Sequence, residues 1–126
     1  MKHILAFLSL VFSFSALAGY EGKLELLSAQ ALLKDRSQYL VLDTRSPEEF
    51  AKGHIAGAIN IPHTEVKNKL DWLKTFDQTI VVHCRSGRRA LVAEQALLDA
   101  NFTKLKHLEG DMKAWVAQEL PLVAEK

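Results

Sequence analysis

Two runs of the chain, Tyr39-Leu40-Val41-Leu42 and Thr79-Ile80-Val81-Val82, are apolar without the alternation of a half-exposed strand. Short unbroken runs of this kind belong to strands covered on both faces, as in a parallel sheet. The pattern predicts two further short strands at Ala58–Ile61 and Lys104–Leu108, and a weaker one near Lys23–Leu26. Between the strands the period changes. Ser46-Pro47-Glu48-Glu49 is a capping box with proline at the first helical position, and Gly53 supplies a stop, which predicts a helix of one to two turns. Val66, Leu70 and Leu73 follow helical spacing, as do Ala90, Ala93, Leu97 and Ala100, so both segments are expected to be amphipathic helices. Alternating strands and helices predict a compact α/β domain, a mainly parallel sheet of about five strands with helices on both faces. In such a sheet ligands bind beyond the carboxyl ends of the strands, and Cys84 stands at one of them.

The N-terminus departs from this pattern. Met1-Lys2-His3 precedes an uncharged, mostly apolar run from Ile4 to Ala18 that closes on Ala16-Leu17-Ala18. The run is short against the ~20 residues that cross a bilayer core, and Gly19-Tyr20-Glu21 is no stop-transfer flank. Residues 1–18 therefore read as a signal peptide cut after Ala18, with residues 19–126 as one domain, rather than as a retained membrane anchor. A lipid anchor would need a cysteine at the cleavage point, and the sole cysteine is Cys84. The expected location is the bacterial periplasm, with no membrane association after cleavage.

Composition narrows the partners. The chain is 48% hydrophobic and 25% charged, an ordinary globular balance with room for one modest core. Loss of Lys2 with the leader takes the 16 basic side chains to 15, level with the 15 acidic ones, so bulk charge does not favour nucleic acid or a membrane surface. A single cysteine in an exported chain cannot form an intramolecular disulfide; it is either inert and buried or kept as a reactive thiol.

The surroundings of Cys84 favour the second reading. His83-Cys84-Arg85-Ser86-Gly87-Arg88-Arg89 joins a buried strand to a helix start, where backbone N–H groups converge and the helix dipole favours negative charge. Gly87 permits a left-handed turn, and Arg85, Arg88 and Arg89 place three permanent cations near the sulfur. Inert cysteines sit in apolar surroundings, whereas this setting favours the thiolate. Phosphatases with a related loop hold the phosphoryl group by an arginine six positions after the cysteine; that position is Ala90 here, and the bidentate clamp is missing. A smaller anionic centre such as sulfane sulfur suits the shorter loop.

Three ordered motifs resemble the rhodanese family. Asp43-Thr44-Arg45 with Glu49-Phe50 and Gly53-His54-Ile55-Ala56-Gly57-Ala58-Ile59-Asn60-Ile61-Pro62 is similar to its N-terminal signature. Val81-Val82-His83-Cys84-Arg85-Ser86-Gly87-Arg88-Arg89 resembles its active-site loop, and Leu108-Glu109-Gly110-Asp111-Met112-Lys113-Ala114-Trp115 its closing motif. Ala56 stands where the family often has proline, and Asp111 where it usually has a second glycine.

The resemblance implies a three-layer rhodanese-like fold with five parallel strands, and a single-domain sulfurtransferase of the thiosulfate sulfurtransferase type. Cys84 would be the nucleophile, taking sulfane sulfur from an anionic donor such as thiosulfate and passing it to cyanide or a thiol. Arg85, Ser86, Gly87, Arg88 and Arg89 would bind the donor and the sulfur-bearing intermediate, with Arg85 and Arg88 foremost in recruiting the donor. No cofactor or metal is expected, the protein is expected to be a monomer, and its partners are the small donor and acceptor, or a protein sulfur acceptor. The alternatives are a persulfide carrier acting on a protein partner, and a related phosphatase or arsenate reductase, against which Ala90 argues.

Other polar residues read as structural. His83, adjacent to the nucleophile on a strand, points to the opposite face and is expected to pack rather than act as a base. His54 is expected to bond to local backbone; Asp43, Arg45 and Glu49 to form an ion-pair cluster at a strand end; Trp72 and Trp115 to be core or rim residues. Asp111 either caps the final helix or points its charge toward the pocket.

Overall fold

In a computed structural model, residues 20–125 are described, and the expected leader lies outside them. The elements in chain order are β1 (Glu25–Leu27), α1 (Ala29–Lys34), β2 (Tyr39–Asp43), α2 (Pro47–Lys52), β3 (Ile59–Asn60), α3 (Leu70–Leu73), β4 (Thr79–His83), α4 (Arg88–Asp99), β5 (Leu105–Leu108) and α5 (Asp111–Ala117). Single 3-10 turns occupy Arg36–Gln38 and Val66–Asn68. The five strands form one parallel sheet in the order β1-β5-β4-β2-β3.

The unbroken apolar runs are explained by two-sided burial. Leu40 and Leu42 of β2, with Ile80 and Val82 of β4, face a core completed by Leu73 of α3 and by Ala90, Ala93 and Leu97 of α4. Val41 and Val81 point the other way, into a second core with Leu32 of α1 and Met112 and Trp115 of α5. The apolar residues of these runs thus meet apolar neighbours whichever way they point, which is why the alternation is lost. β4, the middle strand, is flanked by β2 and β5, so its C-terminal end opens at the centre of the sheet edge.

Several boundaries differ from the sequence reading. Val66, Leu70 and Leu73 do not share one helix: the backbone leaves helical geometry at Lys69 (φ −123°, ψ 15°), between the 3-10 turn and α3. Val66 and Leu73 are nevertheless both fully buried. Segments this short draw their stability from tertiary anchors, and two anchors suffice without a continuous helix. The strand expected over Ala58–Ile61 narrows to Ile59–Asn60, and the weak N-terminal strand is displaced to Glu25–Leu27. Helix α1 is an addition, begun by Ser28, whose hydroxyl accepts the Ala31 N–H at 3.1 Å. The Ser46–Glu49 capping box forms as expected, with Pro47 opening α2.

Leu97 is fully enclosed between α4 and the sheet, whereas Val92 on the same helix is 53% exposed. Leu97→Ala is expected to cost about 2–5 kcal/mol and Val92→Ala under about 0.5 kcal/mol, read as the difference in urea-unfolding free energy.

Candidate active site

Cys84 follows β4 directly and is only 1% exposed. Its Sγ accepts the backbone N–H of Gly87 at 3.0 Å. Gly87 caps α4 in the left-handed region (φ 110°, ψ −21°), a conformation that disfavours a side chain. The sulfur therefore lies at the positive end of a twelve-residue helix with an amide aimed at it. Arg85, Ser86 and Arg88 are exposed around this point. Arg89 forms a two-point pair with Glu49, Nη1–Oε1 at 2.7 Å and Nη2–Oε2 at 3.0 Å. The hydrogen bond from Arg89 is the main reason the Glu49 carboxyl is pulled down to about 2. Since Glu49 is also the last member of the α2 capping box, this pair ties the start of α4 to the start of α2.

The polar residues at the strand ends serve the backbone. Thr44 directs both its N–H and its hydroxyl to the carbonyl of His83, each at 2.9 Å. Asp43 takes Arg45 in a fork, Nε–Oδ1 at 2.9 Å and Nη2–Oδ2 at 2.7 Å, and Arg45 also donates to the Gly53 carbonyl. The expected cluster of Asp43, Arg45 and Glu49 therefore resolves into two separate pairs, because the cap draws Glu49 toward Arg89. His54 behaves as expected: Nδ1 lies 2.7 Å from the Phe50 carbonyl and the ring stacks on Phe50 at 3.6 Å.

His83 is wholly buried, and its Nδ1–H donates to the Cys84 carbonyl at 2.9 Å rather than to the sulfur. Burial pushes its pKa down and favours the neutral ring, and among the described residues Nε2 has no hydrogen-bond partner, with Asp43 Oδ2 3.7 Å away. These features make it a packed residue and not a base. Trp115 is core, with its indole N–H on the Pro121 carbonyl at 2.9 Å, whereas Trp72 sits half-exposed against Phe76.

Asp111 does not cap its own helix. It stands at φ 56°, left-handed after Gly110 at φ 79°, and its carboxylate turns inward. Oδ1 accepts the backbone N–H of Cys84 at 2.9 Å, and Oδ2 lies 2.9 Å from Nε2 of His107. His107 Nδ1 is 2.5 Å from Glu94 Oε2, and the phenol of Tyr20 donates to Glu94 Oε1 at 2.6 Å. Burial works against charge on His107, but hydrogen bonds to Asp111 and then Glu94 prevail and raise its pKa to about 9. Sequence reasoning missed Tyr20, Glu94 and His107. One signal was present: Glu94 interrupts the buried stripe of Ala90, Ala93 and Leu97 with a carboxylate.

A groove of about 430 Å³ runs beside the loop, bordered by Glu49, Lys52, Arg85, Met112, Lys113 and Leu122. Another of about 450 Å³, near Phe76, Phe102 and Lys104, lies at the opposite end of the sheet. The first is the one at the carboxyl ends of the strands, where this class of sheet binds ligands.

A family model described as a rhodanese-like domain matches residues 27–118. The chain is 39% identical over 94 residues to thiosulfate sulfurtransferase 16 of Arabidopsis thaliana chloroplasts, covering 66% of this chain and 78% of that one. It is 32% identical over 92 residues to a sulfurtransferase of Allochromatium vinosum, covering 73% and 85% respectively. Among solved structures, a rhodanese-related protein of Thermoplasma volcanium superposes with a TM-score of 0.70 at 31% identity, over 80% of this chain and 99% of that one.

Two of the buried histidines, His83 and His107, set opposing pH limits on stability. His107, raised from 6.5 to about 9, contributes stability that is complete below pH 6.5 and is lost as pH rises toward 9. His83, lowered from 6.5, contributes stability present above pH 6.5 and lost as pH falls toward its folded value. Urea-unfolding free energy measured against pH is expected to peak near neutrality, and His107→Gln is expected to flatten the alkaline side; an unchanged alkaline slope would refute the assignment.

Proposed function

The chain belongs to the rhodanese-like family of sulfurtransferases, and from that premise we propose that it moves sulfane sulfur from thiosulfate or a similar anionic donor through a persulfide on Cys84. The observation that carries this reading is the sulfur's placement: Sγ at the N-terminus of α4, bonded to the Gly87 amide, with Arg85 and Arg88 exposed beside it. In the first half-reaction the Cys84 thiolate attacks the outer sulfur of thiosulfate. The sulfur–sulfur bond breaks, its electron pair leaves with sulfite, and Cys84 carries a persulfide anion. In the second, cyanide or a thiolate attacks the outer sulfur and the electron pair returns to Cys84. The loop amides and helix dipole serve as the hole for the negative charge throughout. Neither half-reaction requires a metal or a cofactor.

Arg85 and Arg88 suit recruitment of the donor, since both are exposed and flank Cys84 closely in the chain, and Arg85 borders the groove. Arg89 suits a supporting role, because its guanidinium is engaged by Glu49. A second reading, transfer to a protein thiol, is favoured by the groove beside the loop, where Lys52, Arg85 and Lys113 border the apolar Val116 and Leu122. Export belongs to the same proposal and rests on the uncharged run from Ile4 to Ala18.

Incubation with thiosulfate is expected to add about 32 Da to Cys84, removable by cyanide or a thiol, in intact-mass spectra. Cys84→Ser is expected to abolish the gain while keeping the native circular dichroism; substantial turnover by that variant would overturn the nucleophile. Faster discharge of the loaded protein to a protein thiol than to cyanide would favour the carrier.

Arg88→Ala is expected to raise KM for thiosulfate with little change in kcat, and Arg85→Ala to alter both. Added salt is expected to slow the wild type more than either variant. Unchanged kinetics in both variants would move the basic loop to a different anion or to a protein.

A further inference from the structure

We propose that Glu94, His107 and Asp111 form a buried positioning network for sulfur transfer, in which protonated His107 holds Asp111 against the Cys84 amide and loss of that proton loosens the nucleophile's loop. The proposal rests on the sulfur-transfer reading of Cys84 and adds to it a control on when the loop is competent.

The geometry is a continuous chain across the middle of the molecule. Glu94 comes from α4, His107 from β5 and Asp111 from the start of α5; their residues are 2%, 0% and 3% exposed. One imidazole bridges two carboxylates through its two nitrogens, at 2.5 Å and 2.9 Å. A carboxylate can only accept, so both contacts are satisfied only when both ring nitrogens carry protons. Tyr20, stacked on the ring at 3.8 Å and bonded to Glu94, covers the outer end. The inner end is the 2.9 Å bond from Cys84 N–H to Asp111 Oδ1.

Neutral His107 has one N–H and can serve only one carboxylate. The shorter contact, to Glu94, is the one retained, leaving the lone pair of Nε2 facing Asp111 Oδ2. That repulsion displaces the carboxylate on which the Cys84 amide rests. The same carboxylate stands at the head of α5, whose next two amides hold the carbonyls of Cys84 and Arg85 at 3.1 Å and 3.0 Å. A shift of Asp111 is thus transmitted to the two residues that carry the sulfur and its neighbouring cation. The groups facing His107 are Glu94 on α4, Asp111 on α5 and Tyr20 on the N-terminal segment. His83 on the adjoining strand also lies within the field of Asp111 but is held neutral by burial. Asp111 is a positioning residue in this account, since it acts through the Cys84 backbone.

The test follows the Cys84 backbone amide and the His107 ring by NMR across neutral to alkaline pH, alongside the initial rate of thiosulfate-dependent mass gain on Cys84. In the wild type the amide and the ring are expected to titrate with one midpoint near pH 9. The loading rate is expected to fall about tenfold or more above that midpoint, because misplacement of a reacting group has that scale of effect.

Glu94→Gln is expected to lower the His107 midpoint and carry the alkaline limb with it. Asp111→Asn keeps an acceptor for the Cys84 N–H but cannot hold an imidazolium, so it is expected to uncouple the amide from the ring. A Cys84 amide indifferent to His107 titration would overturn the network. So would a Glu94→Gln protein that keeps the wild-type rate profile after its His107 midpoint has moved. If Asp111→Asn does not fold, the wild type and Glu94→Gln decide the matter. Absence of sulfur loading at every pH would refute the sulfur-transfer reading alone, since the two NMR titrations judge the network without it.

Discussion

The backbone of β4 leaves the sheet at His83 while still buried, and its polar groups must find partners that are not strands. Most of the polar side chains around Cys84 answer that requirement. The His83 carbonyl is taken by Thr44, the Cys84 carbonyl by the His83 ring and the Met112 amide, the Cys84 N–H by Asp111, and the Arg85 carbonyl by the Lys113 amide. Asp43 and Arg45 brace the neighbouring strand end, with Asn60 Nδ2 bonding the carbonyls of both residues at 3.0 Å and 2.9 Å. An unsatisfied buried amide costs about 1–3 kcal/mol, which weighs most on the Cys84 N–H, whose acceptor is the Asp111 carboxylate.

With the Cys84 peptide groups engaged in this way, its sulfur is left to the Gly87 amide. The Gly87 N–H reaches Sγ, and the dipole of α4 adds to it in the same direction. The charged side chains then divide by depth. Arg85 and Arg88 are exposed and face whatever approaches, while Arg89, Glu49, Arg45 and Asp43 are spent on joining elements. Basic residues that look equivalent in the sequence are thereby sorted into those left at the surface and those that hold the frame.

Asp111 illustrates how one position can serve both requirements. A non-glycine residue at φ 56° is disfavoured, and aspartate is among the side chains that tolerate the left-handed region best. Here its carboxylate gains a buried amide on one oxygen and a protonated imidazole on the other. The second carboxylate, Glu94, is placed among buried alanines of α4 where an apolar residue would ordinarily stand, and is matched by His107 across the interface.

What the sequence by itself determined follows from local physics. Unbroken apolar runs required strands covered on both faces, Ser46 with Glu49 required a helix start, and Gly87 between a strand and a helix required a tight turn beneath Cys84. Those signals are short-range, so β2, α2, β4, α4 and the place of Cys84 at a strand end were legible from the residues alone. The break at Lys69 was not, because two anchored side chains satisfy the core with or without a continuous helix between them. Nor were the partners of Arg89 and Asp111: Glu49 lies 40 residues from Arg89, and the Cys84 amide 27 residues from Asp111. Which of several charged residues meets which is decided by strand order and by the depth at which each side chain ends up. His107 and Asp111 lie only four residues apart, but the Glu94–His107–Asp111 chain as a whole exists because β5 and the two helices beside it converge under the loop.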